Sequence, residues 1–321
     1  MNKIFAPHNY FMSCDWGTSS FRLSLVDRQS RATLQELSTS GGVKKLYNQW
    51  QQSNDDTGHT AYFLNYFGDQ IKELEGLVEI DTQNIPIIIS GMASSSIGMK
   101  ELPYGMVPFS LKNPDLPSEV LPATEQFAHD VLLVSGIQTP DDVMRGEEIQ
   151  LLGLAAEHNV EDCICVMPGT HSKHVFIRDS EVISFKTFMT GEVFELLTTQ
   201  SVLAGSVNST AKALDKEAFQ QGVKESQKTN LLHAIFGIRT NDLLKGIDKQ
   251  TNFDLLSGMV IGHEIAELAT ESPSRIYIVG SGPLTERYKT AMQTLDLNPI
   301  PVENTDQLTL QGHINIINQN S

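Results

Sequence analysis

One local pattern occurs twice in this chain of 321 residues. Near the N-terminus, the apolar stretches "YFMSCDW" and "FRLSLVD" flank "GTSS", and much later "CICVMPGTHSKHVFI" again places a Gly-Thr turn between two apolar stretches. Each pattern predicts a β-hairpin with a glycine-containing turn. The length suits two domains of ordinary size. We therefore predict an α/β protein with an N-terminal lobe over residues 1–160 and a C-terminal lobe over 161–321, whose last helix can return to the N-terminal lobe.

Further segments alternate between helix and strand patterns. Apolar residues recur every three or four positions in "TAYFLNYFGDQIKELEGLVE", which predicts a helix, and "IPIIISGMASSSIG" predicts a buried strand ending in a small-residue loop. The stretch 141–160 predicts another helix, with acidic residues early, where they oppose the positive end of the helix dipole. "SRIYIVGSGPLTERYKTAMQTL" predicts a strand, a glycine turn and a helix. Strands that end in Gly/Ser loops commonly carry ligand sites in α/β folds.

Composition excludes several classes of protein. The net charge of -16 argues against a nucleic-acid partner, because binding to phosphate backbones depends on clustered Lys and Arg. No apolar run approaches the ~20 residues of a membrane-spanning helix, and the N-terminus lacks a signal-peptide pattern, so we expect a cytoplasmic protein. Cys14, Cys163 and Cys165 lie in apolar strand-like runs, which predicts reduced, buried thiols without a disulfide framework or a metal site.

The two Gly-Thr turns carry groups that suit phosphate. Gly17–Ser20 offers backbone N–H groups and three hydroxyls, and Asp15 at its base can hold Mg²⁺, which prefers hard oxygen ligands. Pro168–Lys173 can clamp the far side of a polyphosphate, with Lys173 adding a positive charge. Ordinary structural turns remain the alternative. A hydrolase triad at the second turn is disfavoured, because G-x-S-x-G is absent and adjacent strand residues point to opposite faces.

A third glycine turn, "IVGSGPLTERY", follows a strand and opens a helix, so its backbone can approach a flat or anionic ligand. It is a weak dinucleotide fingerprint, because Thr285 stands where G-x-G-x-x-G requires its third glycine. No Walker-type G-x-x-x-x-G-K-[ST] is present either. Nucleotide binding by this chain would therefore need another architecture.

The three turns, in this order and spread over two lobes, resemble the phosphate 1, phosphate 2 and adenosine motifs of the actin/hexokinase/Hsp70 ATPase superfamily. The stretches "DWGTSSFR", "MRGEE", "PGTHSK" and "MTGE" narrow the resemblance to the 2-dehydro-3-deoxygalactonokinase family, which phosphorylates 2-keto-3-deoxy sugar acids with ATP. The resemblance covers nearly the whole chain. It implies two ribonuclease H-like lobes with an ATP cleft between them, ATP and Mg²⁺ as cofactors, a small sugar acid as substrate and a homodimer as one possible assembly.

The resemblance also implies roles for individual residues. Asp15 would coordinate Mg-ATP, and the remaining ATP contacts would come from Gly17, Thr18, Ser19, Gly169, Thr170, Ser172, Lys173, Gly280, Ser281 and Gly282. Related sugar kinases place their catalytic base at a helix start before the phosphate 2 turn, where this chain has "RGEE". Glu147 is the first candidate for the base and Glu148 the second. The alternative is that both acids only favour a helix N-terminus.

Arg145 is the candidate for binding the substrate carboxylate, because a guanidinium matches a carboxylate bidentately. The other residues assigned to the substrate are Gly42, Ser94, Ser96, Tyr104 and Glu192. Ser96, Ile97 and Met99 stand where the family usually carries Arg, Gln and Trp, which leaves the exact sugar acid open. A phosphohydrolase or ATPase of the same fold and a non-catalytic sugar or nucleotide sensor are the alternative functions.

Overall fold

The structure is a computed structural model that describes residues 2–53, 58–208, 214–270, 275–302 and 304–319. The chain forms two compact units. The first consists of Met1–Val160, Ser180–Val182 and Asp306–Ser321, and the second of Glu161–Asp179 and Ile183–Thr305. The first unit thus contains the N-terminal half together with the end of the chain. The functional roles predicted for the two lobes remain predictions.

The first unit is built on a six-stranded sheet and several short strands. These strands are β1 (Tyr10–Trp16), β2 (Phe21–Asp27), β3 (Thr33–Thr39), β4 (Ile87–Gly91), β5 (Gly105–Met106), β6 (Phe109–Ser110), β7 (Ser118–Leu121), β8 (Val131–Val134), β9 (Ile137–Gln138) and β10 (Val143–Met144). The sheet order is β3-β2-β1-β4-β8-β7. Strands β1, β4 and β8 are parallel, β2 and β7 pair antiparallel with β1 and β8, and β3 pairs antiparallel with β2. A second, three-stranded sheet has the order β10-β9-β5.

The predicted N-terminal hairpin is confirmed, and its strands have the bounds of "YFMSCDW" and "FRLSLVD". The central strand β1 is almost wholly buried, which explains its continuous apolar character, whereas β3 alternates between exposed and partly buried residues. Trp16 at the end of β1 is fully buried, and its ring lies 5.0 Å from Phe21 and 5.6 Å from Phe67. This aromatic cluster fixes the strand ends that carry the first glycine turn.

Nine α-helices lie within the described residues. They are α1 (Val43–Gln52), α2 (His59–Glu75), α3 (Glu147–Glu157), α4 (Thr190–Thr199), α5 (Lys216–Ser226), α6 (Leu231–Thr240), α7 (Lys249–Ile265), α8 (Gly282–Thr294) and α9 (Leu308–Gln319). Helices α1, α2, α3 and α9 belong to the first unit, where α9 packs along α3. The others belong to the second unit, where α7 packs against α5.

The helix predicted over 141–160 is shorter than expected. Val143–Met144 forms the short strand β10, and α3 begins only at Glu147. Gly146, immediately before the helix, has a φ of 108°, a conformation that L side chains rarely adopt. The sharp turn at this glycine ends the extended segment and starts the helix. It places both candidate acids of "RGEE" in the first turn of α3.

The second unit repeats the hairpin design. Its strands are β11 (Cys163–Met167), β12 (Ser172–Arg178), β13 (Glu181–Phe188), β14 (Ile276–Val279) and β15 (Pro299–Val302), in the order β15-β14-β11-β12-β13. The first two residues of β13 belong to the first unit, where they pair antiparallel with β6. Strands β14 and β15 run parallel to β11, while β12 returns antiparallel and confirms the second predicted hairpin. Consequently, β11 and β14 end at the same edge of the sheet.

The cysteines and the apolar character of the helices can be compared with the predictions from composition. All three cysteines are buried and carry no disulfide, as predicted. In the described part of the chain, no helix combines the length and apolar character needed to cross a membrane.

Candidate active site

The first glycine turn lies on the N-terminal end of helix α1. Gly17 N–H donates to the Ser20 carbonyl at 2.9 Å, while Val43 N–H donates to the Gly17 carbonyl at 3.0 Å. Thr18 and Ser19 are exposed at the tip. A Cβ on Gly42 would lie 2.4 Å from the Ser19 backbone, so only glycine permits this approach. Gly42, which we assigned to the substrate, packs under the turn predicted to bind phosphate, and its substrate role remains a prediction.

Two lysines that the sequence analysis did not single out lie beside this turn. Thr18 and Ser19 line a cavity of about 450 Å³ together with Lys44, Lys45 and polar residues of α1. Both lysines are exposed. The "GGVKK" sequence at the helix start was the available signal. In a chain of net charge -16, this cavity therefore has local positive charge that favours an anionic ligand.

Asp15 and Glu147 lie within electrostatic reach of each other in the first unit. Asp15 is opposite Arg22 in the hairpin, and it is partly buried near the end of β1. Burial raises the pKa of the Asp15 carboxyl, the Arg22 charge opposes this rise, and the Glu147 charge adds to it. The tertiary structure thus brings together two acids that the sequence analysis assigned to catalysis.

The two acids at the start of α3 have different environments. Glu148 is fully buried, and both of its carboxylate oxygens accept the Gly146 N–H, at 2.9 and 2.8 Å. Burial, followed by the charge of Glu147, raises the pKa of Glu148 to about 8. Glu147 is partly exposed, and its Oε2 accepts the Arg145 backbone N–H at 3.0 Å. Of the two acids, only Glu147 presents its side chain toward solvent.

Three residues predicted to bind the substrate form one cluster. Arg145 Nη1 donates to the Ser94 carbonyl at 2.6 Å and to the Ser94 hydroxyl, and it donates to Ser135 Oγ at 3.3 Å. The guanidinium lies 4.1 Å above the centre of the Tyr104 ring. Arg145 Nε is buried and has no hydrogen-bond partner among the described residues. A fixed cation with an unsatisfied N–H is suited to binding an anionic group.

The second glycine turn lies on the N-terminal end of α4. Glu192 N–H donates to the Thr170 carbonyl at 3.1 Å, and a Cβ on Gly191 would lie 2.6 Å from the Gly169 carbonyl oxygen. Thr170 is exposed. His171 Nε2 lies 2.6 Å from Glu192 Oε2, a pair that the sequence analysis did not predict. Glu192, which we assigned to the substrate, therefore belongs to the second turn within its own unit.

Two side chains assigned to phosphate point into the protein. Ser172 is fully buried and donates to Glu264 Oε1 at 2.7 Å. Lys173 is also buried, and its Nζ donates to the His171 carbonyl at 3.0 Å. Strand β12 begins at Ser172, so both residues are already part of the buried sheet. Neither side chain is exposed in this structure, whereas Gly169 is partly exposed and Thr170 and His171 are exposed.

The third glycine turn lies next to the second one. Because β11 and β14 are parallel neighbours, Pro168 and Gly280 follow them at the same edge, and a Cβ on Gly280 would lie 3.4 Å from Pro168 Cδ. Ser281 and Gly282 are exposed, and the Ser281 side chain makes no capping bond to α8. Thr285 Oγ1 is buried without a hydrogen-bond partner in the described part of the chain. The helix N-terminus and this hydroxyl both suit a polar ligand.

Comparison with known proteins identifies the family. The model of the 2-keto-3-deoxy-galactonokinase family matches residues 15–316. The chain belongs to this family. A Rhizobium meliloti (strain 1021) protein named as a probable 2-dehydro-3-deoxygalactonokinase is 32% identical over 298 residues, 90% of each chain. The 2-dehydro-3-deoxygalactonokinase of Escherichia coli (strain K12) is 27% identical over 292 residues, 89% of this chain and 90% of that one.

A solved structure supports the same conclusion. A crystal structure from Sinorhizobium meliloti, with the same enzyme name, matches with a TM-score of 0.80 and 31% identity, covering 94% of both chains. The family resemblance predicted from the motifs is confirmed, and with it the α/β fold. This 2-keto-3-deoxy-galactonokinase family member is an enzyme, a sugar-acid kinase that transfers a phosphoryl group to an alcohol.

The positions at which this family member departs from the usual pattern are mostly internal. Met99 is fully buried in the hydrophobic core of the first unit, and Ile97 packs against the same core. Only Ser96 is exposed. Because Met99 is buried and Ile97 is partly buried, having Met and Ile at these positions, where the family usually carries Trp and Gln, mainly changes the packing of the core. Ser96 is the one of the three that presents a polar side chain to solvent.

Proposed function

We propose that this chain phosphorylates 2-dehydro-3-deoxy-D-galactonate at its terminal hydroxyl, giving the 6-phosphate, with Mg-ATP as the phosphoryl donor. The observation that carries the substrate class is the Arg145 cluster. Its guanidinium is held by Ser94 and Tyr104 while Nε lacks a partner among the described residues. A substrate carboxylate would satisfy this N–H and pair with the charge.

The residues around the first turn fit the phosphates of ATP. Close packing of Gly42 under Ser19 leaves the Thr18 and Ser19 side chains at the surface, beside the cavity that Lys44 and Lys45 line. Hydroxyls and backbone N–H groups bind phosphate oxygens, and lysines add charge. We assign Gly17, Thr18 and Ser19 to the phosphates, with the two lysines as further contacts.

Two glycine turns of the second unit also fit parts of a nucleotide. Gly191 allows α4 to approach the Gly169–Thr170 turn, and the neighbouring Gly280–Gly282 turn opens α8 next to the unpartnered Thr285 hydroxyl. We assign Gly169 and Thr170 to phosphate and Gly280, Ser281 and Gly282 to adenosine. In this proposal, backbone groups make most of the contacts in the second unit.

Asp15 is the residue that fits Mg²⁺. No group of three or more His, Cys, Asp or Glu side chains arranged for a metal occurs in the described part of the chain. This agrees with Mg²⁺, which usually keeps several waters and is held by one or two carboxylates together with substrate phosphates. When bound, the ion would neutralise negative charge that develops on the phosphates. Asp15 would hold it, directly or through water, beside the first turn.

Glu147 is the proposed general base. Phosphoryl transfer depends mostly on in-line positioning and charge neutralisation, with a carboxylate that orients the attacking hydroxyl. Glu147 is the partly exposed acid of α3, and its backbone neighbour Arg145 carries the guanidinium assigned to the substrate carboxylate. In this proposal, Arg145 binds the substrate carboxylate and Glu147 accepts the proton of the attacking hydroxyl. Glu148, being buried, is assigned to the support of the Gly146 turn.

An acceptor screen tests the proposed function. ADP release from Mg-ATP would be measured with 2-dehydro-3-deoxygalactonate, its gluconate epimer, gluconate and glucose, and we expect the first to be the best substrate. Equal ADP release with and without an acceptor would instead show a phosphohydrolase or ATPase. No ADP release with any acceptor, together with nucleotide or sugar-acid binding, would show a sensor.

A variant of Arg145 tests the substrate class itself. Lysine keeps the charge but loses the planar fork, so Arg145→Lys should raise the KM for the sugar acid by about tenfold or more and leave the KM for ATP near its original value. The matched control is Arg28→Lys, because Arg28 Nη1 donates to the Phe5 and Ala6 backbone carbonyls, near the start of the chain. An unchanged sugar-acid KM in Arg145→Lys would remove Arg145 from the substrate site. The homodimer and the cytoplasmic location remain predictions.

A further inference from the structure

A buried carboxylate forms the centre of a hydrogen-bond cluster in the second unit. Glu264, on α7, has a side chain that is 2% exposed. Its Oε1 accepts from Ser172 Oγ at 2.7 Å and from His174 Nε2 at 2.8 Å, and its Oε2 accepts from Tyr288 Oη at 2.7 Å. All three donors are buried. One carboxylate therefore joins side chains from two other elements of the unit.

These donors follow the two turns that we assign to the nucleotide. Ser172 and His174 are the first and third residues of β12, which starts directly after the Gly169–Thr170 turn. Tyr288 lies on α8, the helix that the Gly280–Gly282 turn opens. Glu264 thus connects the element after the phosphate turn with the element after the adenosine turn.

The cluster extends to the helix that supports the phosphate turn. Burial and the neighbouring Glu264 raise the pKa of Tyr288 well above its ordinary value, and hydrogen bonding with Ser172 and Thr190 partly opposes this rise. Thr190 is the first residue of α4, whose N-terminal end packs on Gly169 and Thr170. Strand β12 and helix α8 therefore contact Glu264 directly, and helix α4 contacts its partner Tyr288.

The geometry of the cluster defines how its members bond to Glu264. Since a carboxylate accepts, His174 donates to it through Nε2. His174 Nδ1 has no hydrogen-bond partner among the described residues. Burying a carboxylate is costly unless donors satisfy it, and here three side chains do so. A carboxylate bonded on both oxygens fixes the distance between the groups that donate to it.

We infer that Glu264 is a positioning residue for nucleotide binding, which holds the Gly169–Thr170 turn and the Gly280–Gly282 turn at the spacing that one nucleotide requires. The inference rests on the nucleotide roles given to these turns in the proposed function. Glu264 itself is buried, so it acts through Ser172, His174 and Tyr288 and not by contact with the ligand. No such role follows from the sequence, because Glu264 lies in the last turn of α7, where a charged residue is typical of an exposed helix end.

The sharpest test is Glu264→Gln. Glutamine has nearly the same shape, but its NH₂ cannot accept, so either the β12 donors or Tyr288 loses its acceptor. We expect the KM for Mg-ATP to rise about tenfold, with the KM for the sugar acid changed less than twofold. Tyr288→Phe removes one bond and should raise the KM for Mg-ATP by about threefold. Because both changes disturb one cluster, the double variant should show less than the product of the two effects.

Two control variants separate positioning from general stability. Glu267→Gln changes the exposed carboxylate that pairs with Lys186, and Ser226→Ala removes a buried hydroxyl that bonds to the Val223 carbonyl. Neither should change the KM for Mg-ATP. If Glu264→Gln lowers the melting temperature but leaves both KM values unchanged, or raises both equally, Glu264 only stabilises the fold and the inference is wrong.

Nucleotide binding without turnover tests the inference separately from the proposed function. Calorimetry with Mg-ADP should show about tenfold weaker binding to Glu264→Gln than to the original chain, and hydrogen exchange should increase at both 168–172 and 280–284. If the original chain binds Mg-ADP but phosphorylates no acceptor, the proposed function fails while the Mg-ADP affinities still decide the role of Glu264. If the original chain does not bind Mg-ADP, or if only one turn exchanges faster in the variant, the inference is overturned.

Discussion

The two units use the same hairpin design but different polar groups beneath it. In the first unit, His313 on α9 bridges two strands: its Nδ1 lies 2.8 Å from Ser13 Oγ and its Nε2 lies 2.9 Å from Ser90 Oγ. In the second unit, Glu264 on α7 occupies the corresponding role between β12 and α8. Each unit therefore has a helix that fixes the elements near its glycine turns through a fully buried polar side chain.

The charge of this buried group differs between the units. Burial lowers the pKa of His313 to about 3, so its imidazole is neutral at ordinary pH, and the ionisable group beside it is Asp15, the strand partner of Ser90. In the second unit the Glu264 carboxylate is internal, and the exposed side chains at the second turn are Thr170 and His171, the latter paired with Glu192. In the function proposed above, the first unit would supply the acid, the base and the cation, while the second unit would contribute mainly turn backbone and hydroxyl groups.

The largest expected effect concerns the acids of the first unit. Glu147→Gln should lower turnover by about 10²-fold with little change in the KM for Mg-ATP, because a general base contributes at the transition state. Glu148→Gln should lower turnover far less, since Glu148 is buried against Gly146. Steady-state kinetics on both variants would measure this, with Glu157→Gln at the exposed end of the same helix as the control. A greater loss in Glu148→Gln would reverse the assignment of the base.

A smaller effect is expected when either turn is displaced. A Cβ at Gly42 would meet the Ser19 backbone at 2.4 Å, and one at Gly191 would meet the Gly169 carbonyl oxygen at 2.6 Å. Gly42→Ala and Gly191→Ala should therefore each raise the KM for Mg-ATP by about tenfold, because a misplaced turn loses phosphate contacts. Gly205→Ala, where a Cβ meets open space, is the control. If only Gly42→Ala has an effect, the second unit does not bind the nucleotide through this turn.

The smallest expected effect is on the free energy of unfolding. Its pH dependence has opposite signs for two buried residues of the first unit, Glu148 and His313. Glu148 has a pKa of about 8 against an ordinary 4.5, so its folded form retains a proton and its contribution falls as pH rises from 4.5 to 8. His313 has a pKa of about 3 against an ordinary 6.5, so its contribution falls as pH drops from 6.5 to 3. Between pH 4.5 and 6.5 the two trends oppose each other.

Urea unfolding at pH 5, 6 and 7 would separate the two groups. Relative to the original chain, Glu148→Gln should gain stability by about 1 kcal/mol per pH unit as pH rises, because the ionisation penalty is removed. His313→Asn should be less stable throughout, and relative to the original chain it should lose about 1 kcal/mol per pH unit as pH rises from 5 to 6.5, because the Glu148 trend is then unopposed. Parallel pH profiles for all three proteins would show that neither group is the source of the pH dependence.

Much of the fold could be predicted from the sequence because it depends on local patterns. The strand bounds of the first hairpin and the strand, turn and helix after Arg275 follow from apolar runs interrupted by glycine. The start of α3 did not follow, because the acidic residues before Gly146 resemble a helix N-terminus while the backbone at Gly146 imposes a sharp turn. A helix propensity cannot reveal a positive φ that is set by packing.

The candidate site divides in the same way. The motifs predicted Asp15, the two hydroxyl-bearing turns and the pair of acids at the start of α3. This was possible because the same residue types, in the same order along the chain, are typical of the family. The direction of individual side chains was less predictable. Ser172 and Lys173 are buried although they follow an exposed turn, and Gly42 lies under the first turn and not in the substrate cluster. These positions depend on the exact residue at which a strand or helix begins.

The sequence by itself determined the family, the two hairpins and the kinds of group at their turns, because spacing and residue type along the chain encode them. The tertiary structure decided which acid is exposed, which hydroxyls point inward, and that Ser94, Tyr104 and Arg145 meet around one unsatisfied N–H. It also decided that His313 and Glu264 sit beneath the turns. Burial and hydrogen bonding between residues far apart in the chain are set by packing, which no local pattern records.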